Sequence, residues 1–187
     1  MKRFIYIMAS LFVLLIFARV NAHADSATIT PEDRGAIIDL IAHYGHTFDR
    51  RDGEGMANLF TDDGEWLAFP NEVKEPVIRL KGRKEIAVFA NDRQENFRKV
   101  GIVTKHFMLN TVMEITSPTR VKTSSMALIT WQRPTMGDPK PVPVQGGYYN
   151  HIIVKQGGEW KFQQIEVRTS GVYTPQEQYG DKLDTAE

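Results

Sequence analysis

The sequence predicts an α+β fold: a cone-shaped, strongly curved antiparallel sheet with about three N-terminal helices closing a pocket. Three observations carry this. Apolar residues recur at helical spacing up to about residue 97, and the period changes to two from Ile102 onward. The strand-like segments are joined by connections too short for crossovers, which makes them antiparallel neighbours.

Helix one opens at Thr30-Pro31-Glu32-Asp33, with Thr30 as N-cap, proline at the first helical position and acids in the first turn. Ile37, Ile38, Leu40, Ile41, Tyr44 and Phe48 extend its apolar stripe to about residue 50. After the polar break at Arg50-Arg51-Asp52, a short helix is expected from Gly53 to Phe60, facing inward with Met56, Leu59 and Phe60. Thr61 to Gly64 reads as a turn, Glu65 to Phe69 as a strand, and Pro70 to Leu80 as an irregular loop. Gly82 to Phe97 is the third helix, with Ile86, Phe89 and Ala90 inward. Strands are expected over 103–115, 121–133, 144–155 and 159–172. They are separated by Ser117-Pro118-Thr119, by a proline-rich loop over 134–143, and by Gly157-Gly158.

Residues 1–24 read as a cleavable signal peptide. Met1-Lys2-Arg3 is basic, Phe4 to Phe17 is an apolar run, and Ala22-His23-Ala24 is a small-x-small cleavage pattern. The run is shorter than the roughly 20 residues a membrane span needs. A periplasmic address follows, with 25–187 as one domain of 163 residues, long enough for an independent core. Lys2, Arg3 and Arg19 leave with the leader, so the mature charge moves from zero to about −3. With no basic stripe, neither nucleic acid nor an anionic membrane is an expected partner. The chain has no cysteine, which excludes disulfides, lipoprotein attachment and thiol catalysis.

There is no phosphate loop, no dinucleotide fingerprint, no serine-hydrolase elbow and no H-E-x-x-H zinc motif. What remains is a set of polar residues at positions that periodicity turns inward. On the 103–115 strand, Phe107, Leu109, Thr111, Met113 and Ile115 share one face; His106, Met108, Asn110 and Val112 share the other. His106 and Asn110 are thus expected together, either in the concavity or in a solvent-facing polar row. Tyr44 lies on the buried stripe of helix one, whereas His43 and His46 face water. Asp49 occupies the last helical turn, where the macrodipole disfavours a carboxylate unless something else holds it.

Several short motifs occur in a fixed order: Tyr44-x4-Asp49-x-x-Asp52, then Leu59-Phe60-Thr61-Asp62-Asp63-Gly64-Glu65-Trp66, then His106-x3-Asn110. Gly147-x-Tyr149 and Gly158-Glu159-Trp160-Lys161-Phe162 follow. In that order and spacing, over about 34–172, the chain resembles the SnoaL-like branch of the nuclear transport factor 2-like superfamily. It is most similar there to scytalone dehydratase, bile-acid dehydratase and hexachlorocyclohexane dehydrochlorinase. The resemblance implies His106 as general base, Asp49 as its partner and Tyr44 as the group that polarises or protonates oxygen. It implies that Tyr149 lies near the pocket. His151 stands where relatives often have an acid, a departure from the pattern.

Chemically the set is coherent. An imidazole with an ordinary pKa near 6.5 is a suitable base, a carboxylate on its other nitrogen fixes the tautomer, and a phenol can donate to a developing oxyanion. Neither metal nor cofactor is needed. The expected function is a cofactor-independent lyase or isomerase, dehydratase-like, acting on a small apolar molecule, cyclic ones included. His106, Asp49 and Tyr44 form the catalytic set; Asn110, Trp66, Tyr149 and Met108 contact the substrate. Two alternatives share the fold: a non-catalytic periplasmic binding protein for a hydrophobic small molecule, and an interaction domain using its sheet. A homo-oligomer, dimer or trimer, is expected.

Overall fold

The computed structural model describes residues 28–171 and 174–180. The leader and its cleavage position after Ala24 lie outside the described residues. Among the described residues, four α-helices and six strands occur in the order α1 (Pro31–Asp49), α2 (Gly53–Asn58), β1 (Phe60–Ala68), β2 (Ile78–Lys81), α3 (Gly82–Lys99), β3 (Val103–Ser117), β4 (Arg120–Arg133), β5 (Asp138–Gln156), β6 (Glu159–Gly171) and α4 (Pro175–Tyr179).

Thr30 caps α1 as expected: its hydroxyl accepts from the Asp33 amide at 3.1 Å, satisfying one of the orphan donors of the first turn. Asp33 also accepts from Lys155 Nζ and Trp160 Nε1, each at 2.7 Å, which ties the helix start to β5 and β6. The inner stripe of α1 (Ile37, Leu40, Ile41, Tyr44, Phe48) is buried against β3 and β6; α3 packs on β1 and β2 and buries Ile86, Ala87, Ala90 and Phe97, the last against Trp131 of β4.

The strands form one curved, unclosed sheet in the order β2-β1-β6-β5-β4-β3. It is mixed, because β1 runs parallel to β6 while every other pair is antiparallel. Three boundaries differ from the sequence reading. The Thr61–Gly64 segment belongs to β1, whose pairing with β6 skips between Phe60 and Glu65. The expected loop before α3 contains β2, an edge strand paired only with β1. Most of the proline-rich stretch is strand, because β6 reaches only Gln145 of β5 and the prolines beyond it have just β4 as a neighbour. Proline lacks a donor, so an edge of this kind is where a strand tolerates it.

The most consequential difference is in β3. Its pairing with β4 shifts between Leu109 and Val112, and Asn110 takes a left-handed φ of 49°. The bulge reverses the alternation. Thr104, His106 and Met108 point inward before it; Thr111, Met113 and Ile115 do so after it. Asn110 is thereby exposed, its amide donating to Met126 Sδ at 3.4 Å on the outer surface. It therefore does not join His106 in the concavity, and the substrate contact expected of it is corrected.

Candidate functional site

A cavity of about 240 Å³ lies between the concave sheet face and the helices. Aromatic and aliphatic side chains from α1, β1, α3, β4 and β5 line it, among them Phe48, Trp66, Phe89, Phe97, Ile129 and Trp131. The polar lining consists of Tyr44, Arg93, Thr104, His106, Gln145, Tyr149, Thr169 and Thr174.

Asp49 and His106 meet at the wall of this cavity. His106 Nδ1 is 2.7 Å from Asp49 Oδ1, and the backbone amide of His106 donates to Asp49 Oδ2 at 2.8 Å. The Thr104 hydroxyl donates to Oδ1 at 2.7 Å and accepts from buried Gln94 Nε2 at 3.3 Å. These donors answer the question posed by a carboxylate at the C-terminal end of α1: their hydrogen bonds offset the unfavourable dipole. Burial pulls the Asp49 pKa upward. The hydrogen bond and charge of His106, Thr104 and the backbone amide together outweigh that and hold it below the ordinary carboxylate value. An ionised carboxylate only accepts, so Nδ1 carries a proton, and in the neutral ring Nε2 keeps its lone pair. Gly45 permits the approach, since a Cβ there would stand 3.2 Å from both Cβ and the carbonyl oxygen of His106. The Phe48 ring packs edge-on to the imidazole, with centroids 5.0 Å apart.

Tyr44 is buried beside this pair, its ring 6.3 Å from the imidazole. The Trp66 indole N–H donates to its hydroxyl at 2.9 Å, and Tyr149 is a second hydrogen-bond partner. Burial pushes the Tyr44 pKa up by more than these neighbours lower it, and burial likewise raises Tyr149. Both phenols therefore keep their protons at neutral pH and can act as donors. Tyr149 is buried and lines the cavity. Met108 packs against the core one step along β3 from His106 but does not line the cavity.

His151 takes no part in this cluster. It is 2% exposed, its Nδ1 lies 2.8 Å from the Thr123 hydroxyl, and its Nε2 has no hydrogen-bond partner among the described residues. Burial alone lowers its pKa to about 3, so it is a neutral core residue. Thr104, Gln94 and Arg93 were absent from the sequence reading. Thr104 was within reach of it, two residues before His106 and hence on the same strand face. Nothing in the sequence singled out Gln94 or Arg93 on α3.

A curved sheet with a buried histidine–aspartate pair opening on an apolar cavity defines a pocket protein of the nuclear transport factor 2-like class. The chain belongs to the SnoaL-like domain family, whose pattern matches residues 30–166. Solved structures share its fold. One, the "Putative Scytalone Dehydratase" of Novosphingobium aromaticivorans, is 25% identical over 73% of this chain and 83% of its own, with a TM-score of 0.59. ActVI-ORFA of Streptomyces coelicolor is 19% identical over 78% of this chain and 100% of its own, with a TM-score of 0.62. A protein of Catenulispora acidiphila, solved in complex with S-DNPA, is 16% identical over 75% of this chain and 95% of its own, at 0.59. Comparison with curated proteins gives no match.

Proposed function

We propose that the protein is a cofactor-independent lyase or isomerase whose general base is His106. The observation that carries this reading is the 2.7 Å contact between His106 Nδ1 and Asp49 at the cavity wall. It leaves Nε2 as the basic nitrogen on a side chain that lines an apolar space. In the proposed reaction Nε2 removes a proton from a carbon adjacent to a carbonyl or bearing a leaving group on the next carbon. Asp49 stabilises the imidazolium formed. Tyr44 donates its hydroxyl proton to the enolate oxygen or the departing group, its orientation set by Trp66 and Tyr149. An apolar cavity strengthens these interactions by excluding water. In elimination the C–H electrons form the double bond and the leaving group departs with its electron pair; in isomerisation the proton returns to a different carbon.

The test is a panel of small cyclic β-hydroxy ketones and cyclic halides, followed by absorbance of the conjugated product. Turnover should fall roughly 10²–10⁴-fold in His106→Ala. Undiminished turnover in that variant ends the assignment, and ligand binding without turnover of any panel member favours a non-catalytic carrier. The leader supports export to the periplasm, checked by N-terminal analysis of exported protein, which should begin at Asp25. The outer sheet face exposes Phe107, Leu109, Met126, Leu128 and Tyr148 on three adjoining strands, which supports a homo-oligomer.

A further inference from the structure

α3 presents three side chains to the cavity at successive four-residue steps: Phe89, Arg93 and Phe97. The two outer ones are parts of aromatic walls, since Phe89 lies 5.0 Å from the Trp66 ring and Phe97 lies 5.2 Å from Trp131. Between them, the Arg93 guanidinium stands over the face of Phe97, 5.0 Å from its centroid. Such a contact holds the guanidinium against the ring by its face, and its N–H groups lie along its edge.

Among the described residues of the lining, Arg93 is the permanent cation and none is a carboxylate; Asp49 stands behind His106 and is not one of them. A cation placed among aromatic side chains is desolvated, and burial lowers its pKa from the ordinary value. Desolvated positive charge raises the affinity of a site for an anion and discriminates against neutral molecules of the same shape. Guanidinium carries five N–H donors, so Arg93 can hold a protein partner and a ligand oxygen at once. The imidazole of His106 and the hydroxyl of Tyr44 line the same cavity as this cation.

Resting on the reading of this cavity as the substrate site, we propose that its ligands are small, flat organic acids. A ring lies between the aromatic walls, a carboxylate sits on Arg93, and the rest of the ring faces His106. Arg93 is then the residue that determines specificity for acids over their neutral counterparts.

Calorimetric titration of the mature protein tests this with two matched pairs, benzoate against benzamide and 2-naphthoate against 2-naphthamide. The expected result is that each acid binds at least about tenfold more tightly than its amide. Arg93→Gln should abolish that preference by lowering the affinity for each acid to about that for its amide, and an unchanged circular dichroism spectrum and thermal midpoint report an intact fold. Arg93→Lys, which keeps the charge but loses the planar fork, should retain part of the preference. Equal affinity for acid and amide in the unmodified protein, a preference that survives Arg93→Gln, or no binding by any of the four probes would overturn the proposal. His106→Ala should still prefer the acids, so loss of the base chemistry and loss of acid selectivity are read separately.

Discussion

The buried imidazole of His151 should make the fold acid-labile above the range where carboxylates titrate. In the folded protein this ring is neutral, with a pKa lowered to about 3 by burial, whereas in the unfolded chain it titrates near 6.5. A group whose folded pKa is depressed in this way binds more protons when unfolded. Stability is therefore highest above about pH 6.5 and falls as pH drops toward 3. Integration between pH 7.5 and pH 5 gives a loss of about 2 kcal/mol from this residue alone. Other groups titrate in the same interval, so the measurement is a difference. Urea unfolding of wild type and His151→Gln is followed at both pH values, since glutamine can still bond Thr123 but does not titrate. Wild type should lose about 2 kcal/mol more than the variant. Equal losses in the two proteins would show that His151 is not held neutral, and the reasoning from its burial would fail.

Two further perturbations probe the packing. Gly45→Val places branched carbon against the backbone and Cβ of His106, 3.2 Å from the glycine's own Cβ position, and should cost about 1–3 kcal/mol in urea unfolding by pushing α1 off β3. Gly45→Ala should cost less, because alanine's better helix propensity offsets part of the crowding. In the homo-oligomer proposed to form through the outer sheet face, Leu109→Lys on β3 should weaken self-association at least about tenfold, by light scattering across a dilution series. An unchanged oligomeric state would overturn the proposal that this face is an interface.

The α+β class, the helix that begins after Thr30 and the four long strands were legible because each rests on local chemistry. A cap, a proline and a 3.6-residue stripe define α1, and alternation defines the strands. The parallel pairing of β1 with β6 was not legible, since it joins segments about a hundred residues apart with no local signal. Alternation also failed at one residue. Asparagine tolerates left-handed backbone, so Asn110 can host a bulge, but period-two counting runs through a bulge without registering it. Period-two counting therefore grouped Thr111, Met113 and Ile115 with Phe107 and Leu109, whereas the bulge puts them on the inner side with His106. Asp49 stood out because its charge conflicts with the helix end, and a conflict of that kind marks a residue held by something distant. What holds it, Thr104 and the His106 backbone, could be known only once α1 was laid on β3. Arg93 illustrates the opposite failure: on an amphipathic helix full of charges, the one that faces inward looks like the rest.

The pairing of Asp49 with His106 is tested most directly by the protonation pattern of the His106 ring. Long-range proton–nitrogen correlation spectra of nitrogen-labelled protein at about pH 8.5, some two units above the unperturbed imidazole value, separate the two tautomers. With Asp49 accepting at 2.7 Å, the proton should reside on Nδ1 and leave Nε2 bare, and Asp49→Asn should disturb that pattern. A proton found on Nε2 with Nδ1 bare in the unmodified protein would contradict the assignment of His106 as a base oriented by Asp49.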